Sequence, residues 1–187
     1  TKKIKFIKVN TKNIYYDVNY ILFFSAQQFI QYNLDIKNLF IIGHSDVTIQ
    51  NDPFTALNIE HNEDALENNI HPLFISQEST ILSEDPIFFE KLKTLDIDIN
   101  DILSGDKDTL KIRPLLSSKI LGGNRDILYH FFDLVLPFVK HINDRYKEFT
   151  KNKKAFSTSS NKTALNYYGL FEKNIITGFP FYITKTE

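Results

Sequence analysis

The feature that most constrains this fold is a long apolar stripe in the second half of the chain. Its residues recur at intervals of one or three positions, the spacing of one face of an α-helix. They are Ile127, Leu128, Phe131, Leu134, Val135, Phe138, Val139 and Ile142. Gly122-Gly123-Asn124 precedes the stripe and predicts a break before the helix. Pro137 lies inside it, so we expect one kinked helix rather than two separate helices.

Three shorter patterns predict β structure in the first half. Residues 3–9 alternate between apolar and charged side chains, and residues 14–18 favour β structure. The polar stretch between them is typical of a turn, so we expect an N-terminal β-hairpin. Leu39-Phe40-Ile41-Ile42, closed by Gly43, predicts a buried strand, and residues 72–76 predict another short strand.

Three further patterns predict helices. Residues 20–32 change to a helical period. Asp85-Pro86 supplies an N-cap and a first-turn proline, and the helix that follows has Phe88, Leu92 and Leu95 on one face. Residues 163–176 predict a last helix. Its inward positions are predicted as Leu165, Tyr168, Phe171 and Ile175.

These elements predict an α+β fold in a single domain over residues 1–187. In this fold the N-terminal hairpin and the short strands pack on a helical C-terminal half with one long amphipathic helix. Apolar residues make up 42% of the chain and charged residues 24%, which is ordinary for a soluble globular domain. Lys, Asn, Ile, Phe and Tyr are frequent, and their A/T-rich codons indicate an A/T-rich genome rather than a function.

Composition also excludes several function classes. The net charge is −1, which argues against a general nucleic-acid or membrane-surface binder. The chain has no cysteine, so disulfides, thiolate nucleophiles and cysteine-ligated metals are excluded. We see neither a transmembrane run nor a signal peptide. The compartment stays open, with the cytoplasm slightly favoured. The sequence begins without Met and contains none, so we expect a fragment of a longer chain.

The segment Gly43-His44-Ser45-Asp46 follows the predicted buried strand. A strand that runs into Gly-His-Ser resembles the nucleophile elbow of the α/β-hydrolase family, Gly-x-Ser-x-Gly. The resemblance covers about ten residues, and Val47 stands where the family has its second glycine. It implies a serine hydrolase with Ser45 as nucleophile and His44, Asp46 or a distant histidine as partners. The structural alternative is a glycine turn in which the side chain of Ser45 or Asp46 accepts hydrogen bonds from nearby backbone N–H groups.

Two other groups of residues suggest ligands. His44, Asp46, His61, Glu63 and Asp64 offer imidazole and carboxylate ligands without a recognised metal spacing, so we expect a solvated acidic loop and no metal. His130 and His141 lie eleven residues apart on the long helix, about 16 Å along its axis, and cannot share one ion. No Walker or dinucleotide fingerprint is present, so we expect no cofactor.

Basic residues are more frequent in the second half. They are Lys111, Arg113, Lys119, Arg125, Lys140, Arg145, Lys147, Lys151, Lys153 and Lys154. Such a set can hold a nucleic-acid backbone, but acidic residues are interleaved with it, and pairing along the helix surface is the simpler account.

The C-terminal aromatic run Gly178-Phe179-Pro180-Phe181-Tyr182 is the positive indication of a binding surface. Proline disfavours a central strand, and exposed aromatic residues are typical of protein contacts. We therefore expect a non-catalytic protein-interaction module or complex subunit that binds another protein or itself through Phe179, Phe181 and Tyr182. The alternatives are the Ser45 hydrolase and a nucleic-acid-associated domain that uses the basic second half.

Overall fold

The structure is a computed structural model that describes residues 18–43, 52–54, 73–99, 108–152, 159–171 and 175–177. Within these ranges the helices are α1 (Val18–Tyr32), α2 (Pro86–Thr94), α3 (Asp108–Ile112), α4 (Arg125–Thr150) and α5 (Ser160–Phe171). The strands are β1 (Asn38–Ile42), β2 (Leu73–Ile81), β3 (Pro114–Asn124) and β4 (Ile175–Ile176). Helices and strands together confirm the predicted α+β class.

The predictions for the first half fall into two groups. The N-terminal hairpin over residues 3–18 lies outside the described residues except for Val18, which begins helix α1 rather than ending a strand. The helix over residues 20–32 and the buried strand before Gly43 are confirmed as α1 and β1. The strand predicted at residues 72–76 is confirmed and extends further, as β2.

The four strands form one sheet in the order β1-β3-β2-β4. Strand β3 runs antiparallel to both β1 and β2, and the short β4 runs parallel to β2 at the edge. The pairing of β2 with β3 shifts register after Ile75. At this irregularity the Ser76 hydroxyl accepts from the Ile120 N–H at 3.1 Å and donates to the Ser117 carbonyl at 3.0 Å. One buried hydroxyl thus forms hydrogen bonds with two backbone groups of β3 that the irregular strand pairing leaves without a partner in β2.

The long helix begins directly after Gly122-Gly123-Asn124, as predicted, but the turn expected at the two glycines is wrong, because both lie inside β3. Gly122 pairs with Phe40 of β1 and with Phe74 of β2, and these two rings approach to 6.3 Å between centroids. A Cβ on Gly122 would lie 2.3 Å from the Phe40 ring. The glycine therefore provides the space in which two aromatic side chains meet across the sheet.

Helix α4 is the long amphipathic helix that the stripe predicts. Asn124 caps it, since its side-chain oxygen accepts from the Asp126 N–H at 2.8 Å. The helix ends at Thr150, and Lys151 follows in the left-handed conformation with φ 54°. It continues through Pro137 as one helix. Leu134, which the stripe places inward, is instead 49% exposed.

The ends of the last two elements also differ from the prediction. Helix α5 ends at Phe171, and Ile175–Ile176 form a strand rather than its last turn. Leu165 is fully buried as predicted, whereas Phe171 is 57% exposed. Helix α2 begins as predicted, because the Asp85 carboxylate accepts from the Ile87 N–H at 3.0 Å.

The apolar residues form two clusters. The larger lies between the sheet and the helices α1, α4 and α5, and includes Phe23, Ile30, Ile75, Leu121, Leu128, Phe131, Phe132, Val135, Ile142 and Leu165. The smaller joins α2 and α3 to the start of β3 and comprises Leu82, Phe88, Leu92, Leu110 and Leu115. Phe138 packs against both clusters, so the middle of α4 connects them.

Polar contacts attach α5 to the sheet. The buried Asn166 side chain accepts from the Leu116 N–H at 2.8 Å and donates to the Leu116 carbonyl at 2.9 Å. Its amide thereby satisfies both backbone groups of Leu116. One turn earlier, the Lys162 ammonium lies 3.1 Å from Glu78 and 3.3 Å from Asp85. These contacts fix the position of α5 and therefore of the exposed residues at its C-terminal end.

Candidate interaction surface

The residues that the sequence singles out as a site lie outside the described part of the chain. This holds for His44, Ser45 and Asp46 and equally for Phe179, Phe181 and Tyr182, all of which stay predictions. Their described neighbour Gly43 donates its N–H to the Lys119 carbonyl at 2.8 Å. A Cβ on Gly43 would lie 3.0 Å from Leu22 and 3.2 Å from the Ser118 carbonyl, so this glycine permits close packing of α1 and β3.

A cluster of half-exposed apolar side chains lies along the seam between α4 and α5. We call it the α4–α5 patch and define it as Leu134, Phe138, Tyr167 and Phe171. The rings of Phe138 and Tyr167 stack with 4.6 Å between centroids, and Phe171 meets Tyr167 edge-on at 5.2 Å. Leu134 lies one helical turn before Phe138 and therefore beside it. The two ends of the patch, Leu134 and Phe171, are 49% and 57% exposed.

The patch has a rigid base. Phe138 and Tyr167 are half-buried and pack against the smaller core cluster, together with Phe89 of α2. Phe89 also lines a cleft of about 470 Å³ at the end of α2, whose other apolar walls are Leu92, Ile97 and Ile99. The patch and this cleft therefore both rest on the smaller core cluster. Side chains held on helices and by ring contacts lose little freedom when they bind, which favours affinity.

Ion pairs occupy the outer side of the C-terminal half of α4. Lys140 lies 2.7 Å from Asp144, and Arg145 lies 3.0 Å from Asp96 and 3.2 Å from Glu148. Partial burial opposes ionisation of Asp144, but hydrogen bonding and charge from Lys140, with Lys147, hold the pKa of its carboxyl below the usual value. On this part of the basic second half, pairing along the helix surface is what the structure shows.

Two kinds of polar group among the described residues bear on a possible site, namely the potential metal ligands and the buried polar side chains. Those residues hold no group of three histidine, cysteine or acidic side chains placed to bind one metal ion. His61, Glu63 and Asp64 lie outside them. Asn143 and Ser160 are fully buried and pair with each other across the α4–α5 seam at 3.4 Å. These groups join elements of the fold to one another.

Comparisons with known proteins add no relative. No protein-family model, curated protein or solved structure matches this chain. Among the described helices, none is both long and apolar enough to span a membrane.

The sequence pattern missed the α4–α5 patch because it assigns Leu134 and Phe171 to the core. Both residues lie at the edge of a helical stripe, where the position of the next helix decides whether the side chain is covered. A sequence signal that points outward is the pair Asp133 and Pro137, which lie next to Leu134 on the side of α4 away from Phe138.

Proposed function

We propose that this protein is a non-catalytic protein-interaction module and that the α4–α5 patch is one of its contact surfaces. The observation that carries the proposal is the exposure of Leu134 and Phe171 at the two ends of a stacked aromatic pair. Contiguous exposed apolar side chains around rigid aromatic rings are typical of the energetic centre of a protein interface. The partner that fits is a protein surface with an apolar side chain to insert beside Phe171.

The test substitutes Phe171 and compares it with a matched aromatic residue outside the patch. Phe149 is 77% exposed near the C-terminal end of α4 and belongs to no ring pair among the described residues. Tagged wild type, Phe171→Ser and Phe149→Ser are used to capture partners from the source extract at low and high salt. The partner retained at high salt is then purified and titrated against all three proteins by calorimetry.

We expect Phe171→Ser to lower the affinity for the purified partner at least tenfold, and Phe149→Ser to leave that affinity unchanged. The melting temperatures of both variants should stay close to that of the wild type, because both side chains are largely exposed. Equal affinities for the three proteins would contradict the proposed surface. Capture that disappears at high salt and returns with added nucleic acid would favour the nucleic-acid alternative, whose affinity falls steeply with salt.

A further inference from the structure

The solvent-facing side of α4 repeats one short motif. In the pairs His130/Asp133 and His141/Asp144 a histidine precedes an aspartate by three residues. Residues three apart lie on the same face of a helix, so each pair presents an imidazole and a carboxylate together. His130, Asp133 and His141 are exposed, and the Asp144 side chain is 40% exposed. Both pairs are therefore accessible from solvent on one side of the helix.

One chain alone cannot complete a metal site from these pairs. The two histidines lie eleven residues apart, which is about 16 Å along the helix axis. Each end offers two ligands, whereas a protein zinc site takes three or four. Among the described residues, no third histidine or acidic side chain is placed so that it could hold a metal ion together with either pair.

The positions of the four residues are symmetric about Pro137. His130 and Asp144 are each seven residues from Pro137, and Asp133 and His141 are each four residues from it. If a second α4 packs antiparallel with the two-fold axis at Pro137, His130 faces Asp144 of the second copy, and Asp133 faces its His141. Each end of the helix pair then gathers two imidazoles and two carboxylates.

We propose that α4 carries two half-sites for a divalent cation of the zinc type, and that α4 of a second copy of this chain completes both. Two imidazoles and two carboxylates form a tetrahedral set that suits zinc. The proposal goes beyond the proposed function, because it names a second copy of this chain as the partner of the solvent-facing side of α4.

The face around Pro137 permits this contact. Pro137 is exposed at the point where the two helices cross, and its small ring allows the axes to approach to about 8–10 Å. Leu134 lies three residues before Pro137 and Lys140 three residues after it, so the two leucines lie on one side of the crossing point and the two lysines on the other. The apolar contact at the centre is small, so the affinity depends on the two ends.

Binding of the cation requires two exposed contacts of the aspartates to be exchanged. The acidic residues further out on this stripe keep their own partners, since Asp126 pairs with Arg125 and Glu148 with Arg145. Asp144 exchanges its contact with Lys140 for the metal, and an exposed ion pair of this kind stabilises little. Asp133 likewise exchanges its hydrogen bond from Gln27, which is also exposed.

The first experiment measures the mass of the full chain by sedimentation equilibrium, in EDTA and with added zinc chloride. We expect a mass of 21.8 kDa in EDTA and about twice that mass with zinc, at one zinc per chain. His130→Gln and His141→Gln should each raise the zinc concentration for half-dimerisation at least tenfold. His61→Gln, a histidine outside α4, should not. No zinc-dependent dimer, or equal behaviour of all three variants, would overturn the proposal.

The second experiment mixes His130→Gln with His141→Gln. Each variant alone forms only incomplete sites, since every site loses one imidazole. A mixed dimer regains one intact site, because the first variant contributes His141 and the second contributes His130. We expect dimers in the mixture at a zinc concentration that dimerises neither variant alone. Absence of this rescue would show that the two histidines do not meet across a two-fold axis.

These outcomes separate the inference from the proposed function. Phe171→Ser removes the α4–α5 patch and leaves both histidine pairs intact, so it should dimerise with zinc as the wild type does. If zinc has no effect while Phe171→Ser still loses its purified partner, the inference fails and the proposed function stands. If zinc dimerises the chain while no partner depends on Phe171, the proposed patch fails and the zinc contact stands.

Discussion

Replacing Asn166 with leucine tests how α5 is attached to the sheet. The side chain is 2% exposed and makes three hydrogen bonds, two of them to the backbone of Leu116. The third goes to the Lys162 carbonyl, which also lies within reach of the helical N–H of residue 166. Leucine has a similar volume, so the substitution removes the amide without opening a cavity. What remains is a buried N–H and a buried carbonyl on Leu116 without partners.

The expected loss follows from these two groups. A buried polar group that loses its partner costs about 1–3 kcal/mol. Asn166→Leu should therefore destabilise the protein by roughly 2–5 kcal/mol, which for a chain of 187 residues lowers the melting temperature by about 5–15 °C. Urea denaturation followed by circular dichroism measures the change, with an unchanged m-value if unfolding stays two-state. Gln31→Leu, at an exposed amide of α1, should change stability by less than about 0.5 kcal/mol.

Asn166→Asp distinguishes hydrogen bonding from packing. A carboxylate still accepts from the Leu116 N–H, but its second oxygen faces the Leu116 carbonyl and cannot donate to it. Burial and this carbonyl should raise the pKa of the new carboxyl, so the variant should gain stability relative to the wild type as pH falls through that value. An Asn166→Leu variant that melts within about 2 °C of the wild type, or a pH-independent Asn166→Asp variant, would refute the reasoning.

Three further predictions concern single groups. Gly122→Ala should destabilise by about 1–3 kcal/mol in urea denaturation, because its Cβ meets the Phe40 ring; a neutral result would mean that the ring moves freely. Asn161→Leu should be neutral or stabilising by up to about 2 kcal/mol, because neither amide atom of Asn161 has a partner among the described residues; a clear loss would reveal a hydrogen bond. Lys140→Gln should raise the pKa of Asp144 in an NMR titration. Because the pKa of Asp144 is lowered, its ionised carboxyl stabilises the fold at pH values above the usual pKa of 3.8, and this contribution disappears as pH falls through the lowered pKa. An unchanged pKa of Asp144 in the variant would contradict the ion pair.

The sequence predicts the helices of this fold better than its sheet. Asp85-Pro86 and the stripe that begins after Asn124 combine a cap with a sustained period, and both helices form where expected. Strand β3 was not predicted, because Gly122-Gly123 is a turn signal when considered locally. Its strand character depends on Phe40 and Phe74, which are distant in sequence and meet over Gly122. Cross-strand partners of this kind override local propensity.

The two candidate surfaces were not predicted, for related reasons. The period of a helix shows that Leu134 and Phe171 are near the apolar side, but the width covered by a neighbouring helix decides whether they are buried. The pairs His130/Asp133 and His141/Asp144 show no site within one chain, since their separation along α4 rules out a shared ion. Their symmetry about Pro137 has chemical meaning only when a second copy is considered.

The length of α4 explains why both surfaces fall on it. Its 26 residues extend about 39 Å, whereas α1 with 15 residues and α5 with 12 extend about 22 and 18 Å. Among the described elements, the shorter helices α1, α2 and α5 pack against α4 and leave exposed the side that carries His130, Pro137 and His141. That side must then be polar, which accounts for the ion pairs around Asp144, while the seam beside α5 keeps apolar residues that the shorter helix does not cover. A partner or second copy that packs along α4 would bury surface that this chain has no further described element to cover.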